Sequence, residues 1–173
     1  GGAAEAVSTF PEALPVLPVK LAATSVPGRP DPQSAPAVIA AIDRAVDLAR
    51  RGEVRGIVTG PVHKATLYAA GFRSPGHTEY LAEKAGGVRA VMMLACPQLR
   101  VVPVTVHMAL RDALRSLTTE DIVETGRILA RALRDDYGIA RPRIAVSGLN
   151  PHAGEGGAMG DEERGIIAPA VAA

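Results

Sequence analysis

Arg143-Ile-Ala-Val-Ser-Gly-Leu-Asn-Pro-His-Ala-Gly-Glu-Gly-Gly-Ala-Met-Gly160 is the most informative stretch of the chain. Its first seven residues read as an apolar strand, bounded by the turn residues that follow. Asn150 to Gly160 then reads as a glycine-rich loop carrying a histidine and a carboxylate. Asp161-Glu162-Glu163 opens a helix, with three acids at its positive end. A strand, a ligand-sized loop and a helix in that order form the repeating unit of an α/β sheet protein. Glycines let backbone approach a ligand closely, so this loop reads as functional rather than as a plain connector. It contains no Gly-x-Gly-x-x-Gly, which excludes a Rossmann fingerprint.

The same alternation extends outward. Gly56-Ile-Val-Thr-Gly-Pro61 reads as a buried strand running into a tight turn, followed by a helix from Lys64 that fades by Gly71. Another helix starts near Thr78 and stops at Gly86-Gly87. Ala90–Ala95 and Val101–His107 read as strands, with Pro103 placing the second at an edge or bulge. Leu110–Leu117 is a short helix. Thr118 caps a longer one that turns Ile122, Ile128, Leu129 and Leu133 inward and ends at Tyr137-Gly138. Upstream, Ser34 is placed to cap a helix with Pro36 in its first turn and Val38, Ile39, Ile42, Val46 and Ala49 on one face, ending near Gly52. Residues 1–32 carry six prolines and are expected to be loops and extended segments, with Val16–Leu21 as one short edge strand. Strand–helix alternation implies a parallel-rich sheet with helices on both faces.

Composition narrows the function classes. The 173 residues are 47% hydrophobic and 21% charged, as in a globular domain rather than a disordered chain. Lys+Arg 19 against Asp+Glu 18 carries no polyelectrolyte signature for nucleic acid or anionic membrane. The longest apolar run, residues 90–96, is far shorter than the ~20 residues of a membrane-spanning helix. One cysteine, Cys96, excludes an internal disulfide framework, and its place after an apolar strand suggests a core residue. With three Tyr, two Phe and no Trp, the core is expected to be aliphatic. The first six residues contain neither a basic segment nor an apolar stretch, so no signal peptide is read there.

All four histidines, His63, His77, His107 and His152, fall in loops or at strand ends, where open α/β sheets bind ligands. Each could equally be a surface or helix-capping residue. His107 and His152 follow separate strands and are the best metal-ligand candidates, although no local His-x-x-x-His pattern supports them. Thr59-Gly-Pro-Val-His-Lys64 lacks the Walker spacing, but its glycine turn and Lys64 could hold a phosphate or carboxylate. A plain turn with a solvated lysine is the alternative. At Ser74-Pro-Gly-His-Thr-Glu79, His77 or Thr78 could bond a ligand, or Thr78 could simply cap.

Five motifs then occur in family order: Thr59 to Lys64, Gly76-His-Thr-Glu79, Val91-Met-Met-Leu-Ala95, Thr105 to His107 with Leu110-Arg111, and Gly148 to Gly157, continued by Met159-Gly160 and Glu162-Glu163. Together they resemble the 4-hydroxythreonine-4-phosphate dehydrogenase family from about Leu14 onward. The resemblance implies a fold like that of isocitrate and isopropylmalate dehydrogenases, with two α/β lobes and a cleft. Residues 1–60 would then belong to the first lobe and 61–173 to the second. It also implies oxidation of the secondary alcohol of 4-phosphooxy-L-threonine by NAD or NADP, with decarboxylation of the keto acid, in pyridoxal phosphate synthesis.

The resemblance further implies a cytoplasmic homodimer with a divalent metal (Zn, Mg or Co) at the interface. His107 and His152 would be two of three histidine ligands, and His77 and Thr78 would contact substrate. Relatives acting on other hydroxy-acid phosphates or on cyclic diols are the alternatives. The family's N-terminal Gly-Asp/Glu-Pro-Ala-Gly-Ile-Gly motif and its His-Asp-Gln-Gly motif, which supplies the third histidine, are not found. The chain is accordingly expected to be a partial copy, poorly stable alone, or an inactive fragment serving as a dimerisation module. A phosphate-binding protein without chemistry is a weaker reading. Met108-Ala109 stands where the family would carry Leu-Pro. Imidazole binds metal only when neutral, so titration of divalent-metal affinity should show a fall as pH drops below about 6.5.

Overall fold

The computed structural model describes residues 2–173; the expectation of a loop at Gly1 lies outside the described residues. The elements are α1 (Ala6–Thr9), α2 (Ala35–Arg50), α3 (Lys64–Ala69), α4 (His77–Lys84), β1 (Leu94–Ala95), β2 (Arg100–Val101), α5 (Leu110–Ser116), α6 (Thr119–Asp135) and α7 (Ala168–Ala172), with a π-helix at Glu163–Ile167. The chain divides into two compact units, residues 1–90 and 91–173.

The first unit is held by α2 and α4. The apolar stripe of α2 buries Ala35 and Val46, while Leu67 of α3 and Tyr80 of α4 are also buried. Asp43 on α2 accepts the Tyr80 hydroxyl at 2.5 Å and the Lys84 ammonium at 3.1 Å, so both helices share one carboxylate. Burial, then the hydrogen bond to Asp43, raises the Tyr80 pKa above the ordinary phenol value; the same carboxylate raises that of Lys84. The Phe72 and Tyr80 rings meet edge-to-face with centroids 4.9 Å apart. Thus an aromatic pair stands in the core expected to be purely aliphatic.

Helix starts follow the sequence with two exceptions. Thr118 Oγ1 accepts the Asp121 amide at 3.1 Å, as its residue type predicts. Ser34 makes no side-chain cap; Asp31 caps the preceding turn instead, accepting the Gln33 amide at 2.9 Å. The N-terminal stretch is not wholly non-helical: Ala3–Thr9 coils before the first proline, Pro11, where no ring blocks it.

The second unit is built on α6, whose Ile122, Thr125 and Leu133 are buried, with Ile167 of the π-helix. Thr119 Oγ1 donates to the Ile166 carbonyl at 3.0 Å and ties the two elements together. The chain leaves α6 through Gly138 at φ +68°, a conformation suited to glycine.

Few of the expected strands form a ladder. Among the described residues the only sheet is the antiparallel pair β1–β2, with Leu94 opposite Val101 and Ala95 opposite Arg100. Of the expected strands at 90–95 and 101–107, only Leu94–Ala95 and Arg100–Val101 pair, as a short hairpin turned at Cys96-Pro-Gln-Leu99 with Pro97 at the second turn position. Residues 16–21, 56–61 and 143–149 carry no ladder among the described residues. Val58 is fully exposed, and Ile144 and Val146 are each 40% exposed. Apolar, β-branched runs specify extended backbone, but a strand also needs a neighbour about 4.8 Å away, which local sequence does not encode. Cys96, expected in the core, is exposed at the hairpin turn. No helix is long and apolar enough to cross a membrane among the described residues.

Leu133→Ala should lower the unfolding free energy of the second unit by about 2–3 kcal/mol, read from the denaturant midpoint, because it empties the most buried leucine of α6.

Candidate functional site

The first unit brings two of the expected ligand contacts together. Val62, Lys64, Leu67, Phe72, His77 and Tyr80 line one shallow concavity. The turn at 59–63 delivers Lys64 to the start of α3, and Gly76 delivers His77 to the start of α4. His77 is half-buried; its Nε2 is shielded from solvent and has no hydrogen-bond partner among the described residues. A buried polar nitrogen without a partner is costly, which sets His77 apart from the other three histidines. Thr78 is the second residue of α4 and exposed; it does not cap the helix. His63 is a helix cap: its Nδ1 accepts the Thr66 amide at 3.3 Å and lies 2.6 Å from Thr66 Oγ1.

The second unit carries His107 and His152, both exposed. His107 lies in a loop with φ +54°, a left-handed conformation uncommon for a side chain other than glycine. His152 begins the glycine-rich loop. Its amide donates to Asn150 Oδ1 at 2.9 Å, and its Nδ1 is 2.8 Å from Glu155 Oε1.

Glu163, at the start of the π-helix, organises this loop. Its Oε1 accepts the amides of Leu149 at 3.1 Å and Asn150 at 2.9 Å. These bonds to the charged form, led by that from Asn150, pull its pKa below the ordinary glutamate value. Its Oε2 is shielded from solvent and unpaired among the described residues. Gly154, at φ +72°, lies directly against this carboxylate: a Cβ there would come within 2.8 Å of the Gly160 carbonyl and 3.1 Å of Glu163 Oε2. Arg164 Nη1 closes the other side on the Gly156 carbonyl at 3.1 Å. The sequence places Glu163 only at a helix dipole; the glycine at position 154, nine residues before it, is the available signal, but only folding shows the contact.

Two exposed imidazoles are donors of the type that divalent transition metals take. No group of three or more His, Cys, Asp or Glu side chains that could hold an ion is assembled among the described residues. His107 and His152 each present one imidazole of this donor type, without a complete donor set around them among the described residues.

The family model described as "Pyridoxal phosphate biosynthetic protein PdxA" matches residues 2–173. The chain belongs to this family. Curated PdxA-family relatives named 4-hydroxythreonine-4-phosphate dehydrogenase include those of Bradyrhizobium diazoefficiens, 58% identical over 96% of this chain and 50% of that protein, and Caulobacter vibrioides, 54% identical over 98% and 53%. The crystal structure of the Klebsiella pneumoniae 4-hydroxythreonine-4-phosphate dehydrogenase aligns with a TM-score of 0.79 at 42% identity, over 86% of this chain and 45% of that one. A terephthalate 1,2-cis-dihydrodioldehydrogenase from Burkholderia xenovorans aligns at 0.70 and 29%, over 94% and 52%. The fold is therefore that of the PdxA-type α/β dehydrogenases, and the chain spans about half the length of the curated relatives it matches.

Removing the clamp in Glu163→Ala should speed hydrogen exchange of the Leu149 and Asn150 amides by about tenfold, equivalent to one lost bond of ~1.4 kcal/mol in local opening. Because the folded Glu163 pKa is lowered, its contribution is present above the ordinary glutamate pKa and is lost as pH falls through and below it. The same two amides should lose protection on acidification in the native protein and not in Glu163→Ala.

Proposed function

We propose that this chain is part of a 4-hydroxythreonine-4-phosphate dehydrogenase acting in pyridoxal phosphate biosynthesis. The observation that carries this is the PdxA-family match across residues 2–173, with 54–58% identity to two relatives of that name. The substrate would be 4-phosphooxy-L-threonine, a small phosphorylated hydroxy acid, and the oxidant NAD or NADP. The nicotinamide, when bound, would take up the carbinol hydrogen as hydride, and loss of the hydroxyl proton would leave a ketone β to the carboxylate, from which CO2 can depart. Such chemistry needs no protein nucleophile.

This chain would supply part of the substrate and metal sites. Lys64 and His77 both line one concavity, where substrate would be held, and Thr78 follows on the same turn of helix. His107 and His152 would be metal ligands. A divalent metal, when bound, lowers the pKa of an alcohol and favours developing negative charge on its oxygen.

In the protein at its full natural length, the extended apolar runs at 56–61 and 143–149 would join a parallel-rich sheet, in a two-lobed cytoplasmic homodimer with the metal at the interface. Their exposed Val58, Ile144 and Val146 support that reading, since such side chains are ordinarily covered in a parallel sheet. The sequence-based lobe boundary at residues 60/61 belongs to this proposal. The lower identity of the dihydrodiol dehydrogenase, 29% against 42% for the Klebsiella enzyme, favours the phosphorylated substrate over a cyclic diol.

Incubating the full-length protein with 4-phosphooxy-L-threonine, NAD or NADP and a divalent metal should generate reduced cofactor by absorbance. Signal should vanish with chelator and in His152→Ala. Absence of turnover in a folded, metal-loaded protein would turn the assignment toward a relative with another alcohol substrate.

A further inference from the structure

The glycine-rich loop contains a carboxylate in a backbone position that suits glycine. Gly154, Gly156 and Gly157 all adopt positive φ, at +72°, +71° and +106°. Glu155 stands among them at φ +44°, and Ala153 precedes them at φ +48°. Backbone of this kind is unfavourable for residues with a Cβ and persists where the surroundings hold it. The surroundings are visible here: Glu163 Oε1 holds the amides of Leu149 and Asn150, Asn150 Oδ1 holds the amide of His152, and Arg164 holds the Gly156 carbonyl. What this conformation achieves is the approach of Glu155 Oε1 to 2.8 Å from His152 Nδ1.

We infer that Glu155 is a positioning residue that fixes the ring orientation and tautomer of His152. An ionised carboxylate only accepts hydrogen bonds, so the Nδ1 facing it must carry the hydrogen. In the neutral ring Nε2 is then left with its lone pair, directed away from the bond to Glu155. This is the arrangement in which a carboxylate orients a metal-binding imidazole and fixes its tautomer. The pair is exposed, with side chains 57% and 54% accessible, so as a mere salt bridge it would contribute little to stability. Its consequence lies instead in which nitrogen is offered to a ligand. The value of Nε2 as a metal donor rests on the reading of His152 given above; the tautomer itself does not.

The test uses the full-length protein and two variants, Glu155→Ala and Glu155→Gln. Long-range proton–nitrogen correlation spectra of the metal-free protein, recorded at about pH 8 where imidazole is neutral, report which ring nitrogen of His152 is protonated; His152→Ala assigns the signals. Zinc affinity is measured in parallel by competition with a chromophoric chelator. The native protein should show His152 with Nδ1 protonated and Nε2 bare. Glu155→Ala should mix the tautomers and weaken zinc binding about 10–100-fold. Glu155→Gln keeps an acceptor oxygen and should restore the native tautomer and most of the affinity, which separates loss of orientation from loss of loop structure.

A native His152 protonated at Nε2, or a tautomer unchanged in Glu155→Ala, would overturn the inference. So would equal loss of affinity in both variants. If the tautomer depends on Glu155 but His152→Ala binds zinc normally, the positioning stands and the metal role of His152 fails.

Discussion

One carboxylate governs the second unit. Glu163 accepts two consecutive amides, those of Leu149 and Asn150, where an extended segment passes into a loop. Those N–H groups have no ladder partner, since residues 143–149 are not paired in a sheet among the described residues. Without the carboxylate they would be left to solvent, and the loop would have no fixed origin. With it, Asn150 is held, its own side chain fixes the amide of His152, and the loop that follows is compressed against the carboxylate at Gly154. The chain is therefore anchored at one oxygen, and the histidine two residues further on inherits that anchor.

The π-helix at Glu163–Ile167 belongs to the same device. Its wider turn is a rare geometry that often accompanies functional sites. Here it combines two duties: Ile167 is buried in the unit's core and the Ile166 carbonyl is bonded to Thr119 on α6, while Glu163 and Arg164 face the loop. Packing on one side and loop control on the other are thus covalently linked within five residues. A helix packed on α6 thus supports a loop in which two residues other than glycine, Ala153 and Glu155, adopt positive φ, and the loop presents His152 against Glu155.

The first unit solves a similar problem with different chemistry. Asp43 on α2 accepts from both Tyr80 and Lys84 on α4 and so ties the two helices together. His77 begins α4 and Lys64 begins α3, so the concavity between them depends on how these short helices pack. Neither helix is long enough to be stable on its own. Tertiary contacts at Tyr80, Phe72 and Leu67 therefore decide whether the lysine and the histidine line one small concavity.

The longer helices, the loop that carries His152 and the family motifs were legible in the residues, whereas the Ala3–Thr9 helix and the place of His77 as first residue of α4 were not. Apolar spacing in α2 and α6, the Thr118 cap and the exit at Gly138 are local signals, and local hydrogen bonds satisfy them. The strand assignments were not secure in the same way, because Ile57–Thr59 and Ile144–Val146 encode extended, apolar backbone but not the strand that would lie beside it. Cys96 reached the surface for that reason: its segment folds back as a two-residue hairpin instead of entering a buried sheet. The sequence by itself determined the family, the helical framework and which side chains are chemically available. Only the tertiary structure decided that Lys64 and His77 share a concavity, that Glu163 clamps the loop and that Glu155 meets the His152 ring, because each depends on side chains brought together by long-range packing or by a backbone turn that residue type alone disfavours.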